Sequence, residues 1–243
     1  MEYKLYQVGG SVRDEILGLP VKDLDYVAVI TDPDKYLNPY AEFVKQLVRE
    51  GYKIYLETPE CFTIRAKFPP DHVFKNIDAD FVIARKELYY KDGTRTPVTT
   101  YGTLFDDLQR RDFTVNTLAK DQEGNLIDFF GGLKDLKKGI LRTPIDTMKT
   151  FDDDPLRIVR AIRFTVTKNM FLSKKIVKCI AKYDPDKMKV VSKERIREEL
   201  YKMFKHNTVL TIDTLYEFKM LNNKLFLKLF DVDLWLKPTF ENK

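Results

Sequence analysis

Gly9-Gly10-Ser11-Val12-Arg13-Asp14, followed by Asp23-Leu24-Asp25 at the head of the apolar run Tyr26 to Ile30, is the stretch that decides the fold. Successive side chains of a strand point to opposite faces, so Asp23 and Asp25 are expected on one face, about 7 Å apart along the chain. Two such carboxylates repel unless a cation lies between them, and two divalent ions roughly 3.5–4 Å apart suit phosphoryl displacement. The glycine pair leads into a short helical pattern over 12–17 that Gly18 closes. N–H groups at such a helix start attract anions, and Arg13 adds a positive fork. Each signal alone has a bland reading, an ordinary turn and a solvated acidic surface. Together they put a phosphate cradle and a metal pair in one segment, bracketed by strand candidates at 4–8 and 24–30.

The rest of the chain permits a folded enzyme. It has 243 residues, 44% hydrophobic and 33% charged, enough for one large or two modest domains. No apolar stretch approaches the roughly 20 residues that span a bilayer, so no membrane association is expected. Cys61 and Cys179 with two histidines offer neither a disulfide framework nor a zinc site, and a reducing cytoplasm is the expected compartment. The net charge of +5 leans toward a polyanionic partner, and Lys and Arg concentrate in 157–205.

The hydrophobic period divides the chain. Strand patterns fall at 4–8, 24–30, 53–57, 62–68, 79–84 and 125–128, with a helix over 39–50. Helical patterns then run over 156–165, 174–183, 193–205 and 208–230, separated by Asn169, Pro185 and Asn207. This segregation predicts an α+β domain followed by an all-helical one. The segment 87–103, with Gly93, Pro97 and Gly102, reads as a functional loop or a surface insertion.

Three further blocks carry candidate chemistry. In Asp106 to Asn116, Arg111 is a candidate for holding a triphosphate bidentately, with Asp112 or Asn116 on a ribose hydroxyl or beside the metals; the bland reading is a surface ion pair. Asp128 to Arg142 reads as architecture: a glycine turn, a short helix stopped by Gly139, and a hinge. In Asp152 to Phe164, Asp154-Pro155 is a normal helix start, and Arg157, Arg160 and Arg163 recur at i, i+3 and i+6. A carboxylate and a guanidinium side by side would match the exocyclic amine and ring nitrogen that cytosine and adenine share.

These blocks resemble the motifs of the class II CCA-adding tRNA nucleotidyltransferases and the bacterial-type poly(A) polymerases of the same superfamily. Residues 9–14 with 23–25 are similar to their first motif, 110–116 to the second, 131–142 to the third, 153–163 to the fourth and 192–200 to the fifth. The resemblance implies Asp23 and Asp25 as catalytic metal ligands for a two-metal Mg²⁺ site. It implies that Gly10, Arg13 and Arg111 contact the nucleotide's phosphates or sugar, that Asp154 with Arg157 reads the base, and that Arg160 and Arg163 complete the pocket. The family's mobile loop would correspond to 84–98, including Arg85, Glu87 and Arg95.

The expected organisation is a catalytic head (1–141) holding a mixed sheet, a helical neck (142–206) and a short helical extension (207–243), with the family's body and tail largely absent. The implied activity is template-independent addition of C and A to the 3′ end of tRNA from CTP and ATP. Alternatives are a poly(A) polymerase, an enzyme adding only CC or only A, or an inactive RNA-binding protein of the same fold. A homodimer would be one way to replace the missing body.

Overall fold

Residues 1–21, 23–75, 77–90 and 97–230 are described by a computed structural model. The chain divides into two units, one of Met1–Tyr89 with Pro97–Lys134, the other built on the chain from Asp135 onward.

In the first unit the Gly-Gly segment joins strand β1 (Tyr3–Val8) to helix α1 (Gly10–Ile16), and β2 (Leu24–Ile30) follows. Gly18, at φ 67°, closes α1 as expected, its N–H donating to the Glu15 carbonyl. Then come α2 (Pro39–Arg49), β3 (Lys53–Thr58), β4 (Thr63–Lys67) and β5 (Asp78–Ile83). The Asn38 side chain caps α2 by accepting from Ala41 N at 3.0 Å, and Pro39 presets its first turn. Next are β6 (Arg85–Tyr90), β7 (Pro97–Tyr101), α3 (Leu104–Gln109), β8 (Ala119–Lys120) and β9 (Leu126–Ile127).

The seven-stranded sheet has the order β3-β4-β5-β2-β1-β8-β9. β1 runs antiparallel to β2, while β2 and β5 are parallel, so the sheet is mixed. Alternation along β2 sorts its side chains. Leu24, Ala28 and Ile30 join Phe43 and Leu47 of α2 in one core, whereas Val27 joins Val8 and Leu104 and Leu108 of α3 in another. Asp25 therefore lies on the α3 face, the face that carries the arginine block. Each fully buried Phe or Leu in these cores contributes about 1.5–3 kcal/mol.

The second unit begins within α4 (Gly132–Lys138) and continues through β10 (Ile140–Leu141), α5 (Thr147–Asp153), α6 (Leu156–Thr167), β11 (Phe171–Leu172), α7 (Lys174–Lys182), α8 (Lys193–His206), α9 (Thr208–Leu221) and α10 (Asn223–Leu229). It is helical apart from the short parallel pair β10 and β11. α6 buries Leu156, Ile158, Val159, Ala161, Ile162, Phe164 and Val166, and packs on α8 and α9.

The glycine-rich third block is structural, as its sequence suggests. Asp128 accepts from the backbone N–H groups of Gly132 and Leu133 at 2.8 and 3.0 Å. A Cβ at Gly132 would stand 2.2 Å from the Thr114 carbonyl oxygen, so this turn packs on the second block only because the residue has no side chain.

The structure corrects two expectations. The helical pattern over 208–230 is two helices, because Asn222 leaves the helical conformation (φ −151°, ψ 86°) and its side chain caps α10 by accepting from Leu225 N at 3.0 Å. The segment 87–103 is not a plain loop: β6 and β7 pair as a two-stranded sheet. Gly102 pinches its base, where a Cβ would lie 2.8 Å from Lys86 N. Arg95, within the expected mobile loop, lies outside the described residues.

Candidate active site

Gly9 sets the geometry of the head site. It adopts φ 75°, ψ −132°, which side-chain-bearing residues avoid, and a Cβ there would come within 2.7 Å of Arg111 Nη1 and 3.7 Å of Asp25 Oδ2. The turn is tied down by Gly9 N donating to Leu118 O at 3.1 Å and Ser11 Oγ donating to Val8 O at 2.9 Å. The family resemblance singles out Gly10 as a contact of the nucleotide. A Cβ on Gly10 would meet Arg13 Nη2 at an ordinary 3.5 Å, so the tight position is Gly9, legible only once Arg111 is placed.

Asp25 sits within β2, and Asp23 is exposed in the bend just before it. A third carboxylate joins them that the sequence did not reveal. Asp80 on β5 is the direct register partner of Asp25, so both project from the same face of the sheet. Asp80 in turn pairs with Arg65 of β4, whose Nε and Nη2 donate to Oδ1 and Oδ2 at 2.6 and 2.5 Å. Burial, together with the charges of Asp80 and Asp23, holds the Asp25 carboxyl above its ordinary pKa, against the opposing pull of Arg111 and Arg65.

Arg111 is held from behind by Asp107, a fully buried residue of α3. Asp107 Oδ2 accepts from Arg111 Nη2 at 3.2 Å, and Oδ1 accepts from Arg110 Nε and Nη2 at 3.0 and 2.5 Å. Burial alone would raise this carboxyl; the two guanidiniums outweigh it and hold the pKa below the usual value. Among the described residues, Arg111 Nε is buried without a hydrogen-bond partner. Glu87 of β6 lies 3.8 Å from Arg85 and 3.7 Å from Arg110, which attaches the two-stranded sheet to the same charge cluster.

Arg13 is buried and joins the first block to the second. It donates to Asp14 and to Asn116 Oδ1, while Asn116 Nδ2 donates to Asp112 Oδ1 at 2.8 Å. The polar groups expected to face a ribose thus also form a network that orients Arg13.

In the second unit, Asp154 caps α6 through the Leu156 N–H at 3.1 Å, and its own carbonyl accepts from Arg157 N at 3.0 Å. Arg157 Nη1 donates to Thr150 O at 3.1 Å. Arg163 Nε pairs with Glu199 of α8, Arg160 lies 3.8 Å from the other oxygen of that carboxylate, and the Arg163 guanidinium stands over the Phe164 ring at 4.7 Å. Glu199 is buried, and Arg160 and Arg163 hold its carboxyl below the usual range despite burial. Its signal was present in the sequence: Ile196, Glu199, Leu200 and Met203 share one helical face, and an acid on an apolar face requires a partner.

The donor set at Asp23, Asp25 and Asp80 consists of oxygens only, which suits a hard divalent ion. Among the described residues, no three or more of His, Cys, Asp and Glu are grouped so as to hold a metal ion. An ion of the Mg²⁺ kind takes one or two carboxylates and completes its shell with water and phosphate oxygens.

Residues 5–142 match the family model "Poly A polymerase head domain", more than half of the chain. The chain belongs to the CCA-adding enzyme and poly(A) polymerase family. Residues 169–228 match "Probable RNA and SrmB-binding site of polymerase A". A CCA-adding enzyme of Lactobacillus helveticus is 36% identical over 202 residues, covering 83% of the chain and 46% of that protein. The tRNA nucleotidyltransferase cca2 of Schizosaccharomyces pombe is 36% identical over 224 residues, covering 86% and 45%. The fold agrees with the Bacillus stearothermophilus CCA-adding enzyme solved in complex with CTP (TM-score 0.70, 27% identity, 88% of this chain and 48% of that one). It agrees equally with a tRNA nucleotidyltransferase solved with a primer tRNA and an incoming ATP analog (TM-score 0.71, 28% identity, 94% and 60%). The chain thus spans less than half the length of these two family relatives. Family members generally use divalent metals, and no helix among the described residues is long and apolar enough to cross a membrane.

Proposed function

We propose that this chain is a Mg²⁺-dependent, template-independent RNA nucleotidyltransferase that adds C and A to the 3′ end of tRNA from CTP and ATP. The observation that carries the reading is the approach of Arg111 and Asp25 to the same side-chain-free position, Gly9. A guanidinium for phosphate and a carboxylate for metal then share one small space. The relatives named as CCA-adding enzymes, and the neighbours solved with CTP and with tRNA, support the choice of substrates.

Asp23 and Asp25, with Asp80, are the proposed metal ligands. Bound there, divalent ions supply Lewis acidity and charge neutralisation at the reacting phosphate. Arg111 and Arg13 hold the triphosphate, Arg111 through donors that Asp107 keeps oriented, and the backbone of Gly10 lies beside them. The RNA 3′-hydroxyl attacks the α-phosphate and pyrophosphate leaves in line. Asp154 accepts from the base's exocyclic amine and Arg157 donates to its ring nitrogen, a pairing that uracil and guanine cannot satisfy. Arg160 and Arg163 complete the nucleotide pocket, and their pairing with Glu199 fixes the face of α6 that carries Arg157. The catalytic head is assigned to 1–141, the neck to 142–206 and the extension to 207–243.

The test is incubation of tRNA ending before CCA with each labelled nucleotide, with and without Mg²⁺. Additions stopping at three support complete CCA synthesis. An open-ended A tail would instead mark a poly(A) polymerase, and arrest after one or two a partial enzyme.

A further inference from the structure

Arg65, Asp80 and Asp25 occupy directly paired positions on three adjacent strands, β4, β5 and β2, and so form one row across a single face of the sheet. The row reads cation, anion, anion, with Asp80 between the other two. Arg65 takes both oxygens of Asp80 at once, the geometry in which a guanidinium binds a carboxylate most strongly. Nothing in the proposed reaction uses Arg65. Its side chain is 44% exposed, so it can leave Asp80 for solvent without opening the core.

A carboxylate has about four lone-pair positions, and a bidentate guanidinium directs itself at the pair facing outward on the two oxygens. A divalent ion recruiting Asp80 meets a site already neutralised by a cation. We propose that Arg65 is a built-in counter-cation that competes with divalent metal for Asp80, weakening metal binding in the nucleotide-free chain. Metal loading then favours the ion that arrives with the triphosphate, whose charge offsets the loss of the Arg65 pair. This inference rests on the reading of Asp25 and Asp80 as metal ligands.

The experiment titrates the nucleotide-free full chain with Mn²⁺ alone, following free Mn²⁺ by its electron paramagnetic resonance signal. Arg65→Gln is expected to bind Mn²⁺ roughly fivefold more tightly, the factor that corresponds to about 1 kcal/mol of competing ion pair. Partial unfolding cannot produce tighter binding. In an Asp80→Asn background the same substitution is expected to change nothing. Unchanged affinity in Arg65→Gln overturns the inference while leaving the metal reading intact. Tightening that persists without Asp80 also overturns it, since Arg65 would then act through its long-range field. Absence of binding in both the parent chain and Arg65→Gln overturns the inference and the metal reading together, whereas binding that appears only in Arg65→Gln supports both.

Discussion

Arg111 stands where a Gly9 side chain would be: a Cβ at Gly9 would lie 2.7 Å from Arg111 Nη1. The glycine is needed for its positive φ and for the room it leaves. Gly9→Ala is expected to cost about 1–3 kcal/mol in backbone strain. It also pushes the guanidinium away from Asp25. Nucleotide incorporation should fall at least about tenfold, chiefly as a raised KM for the triphosphate, the signature of lost binding rather than lost chemistry. Steady-state kinetics beside a thermal melt separate the two effects.

Asp107 is the buried anion to which Arg110 and Arg111 are both bonded. Asp107→Asn leaves two guanidiniums around a neutral amide, and breaking a buried pair in this way costs about 3–5 kcal/mol. The melting temperature should fall markedly. Because the folded-state pKa is depressed, the carboxylate's stabilising contribution is present above its unfolded value and lost as pH falls through the lower folded value. The stability gap between parent and variant should therefore narrow in acid, as chemical denaturation across a pH series would measure.

Asp25 predicts the opposite sign. Its folded pKa is raised, chiefly by burial, so at neutral pH the ionised carboxylate is a destabilising element held for its use. Below the unfolded pKa of about 3.9 both states are protonated and there is no penalty. The penalty grows as pH rises toward the folded value and is constant above it. Asp25→Asn should raise metal-free stability at pH 7, lose that advantage in acid, and abolish nucleotide addition at every pH. A variant less stable than the parent at pH 7 would contradict this account of the site.

Glu199 anchors α6 to α8 through Arg163 and Arg160. Glu199→Gln leaves those guanidiniums without their shared charge and is expected to destabilise the helical unit by about 3 kcal/mol. If Arg157 reads the base from a face so fixed, the variant should also admit UTP or GTP more readily. Misincorporation ratios at a temperature where the variant is folded check this.

Much of the candidate site was legible because its signals are local. Asp25, Arg13 and Arg111 stand in short runs that mark them as candidates, and the strand and helix periods of 24–30 and 39–50 reappear as β2 and α2. What was hidden depends on contacts between distant segments. Asp80 becomes part of the site only because β5 lies parallel beside β2 in register, and no spacing between residues 25 and 80 encodes that pairing. Gly9 rather than Gly10 is the tight position because Arg111 arrives from far along the chain. The break at Asn222 was missed because the apolar run continues on both sides, and a single capping side chain outweighs it. β6 and β7 were read as a loop because Gly93, Pro97 and Gly102 interrupt the two-residue alternation that marks a strand.

If the chain joins nucleotides to an RNA end under the control of Asp23 and Asp25, the product ladder formed on tRNA ending before CCA with CTP and ATP reports it directly. Mg²⁺-dependent addition of C, C and A is expected, stopping at three and abolished by Asp23→Ala while RNA binding survives. Absence of Mg²⁺-dependent incorporation of either nucleotide by the parent chain, or incorporation undiminished by Asp23→Ala, would contradict it.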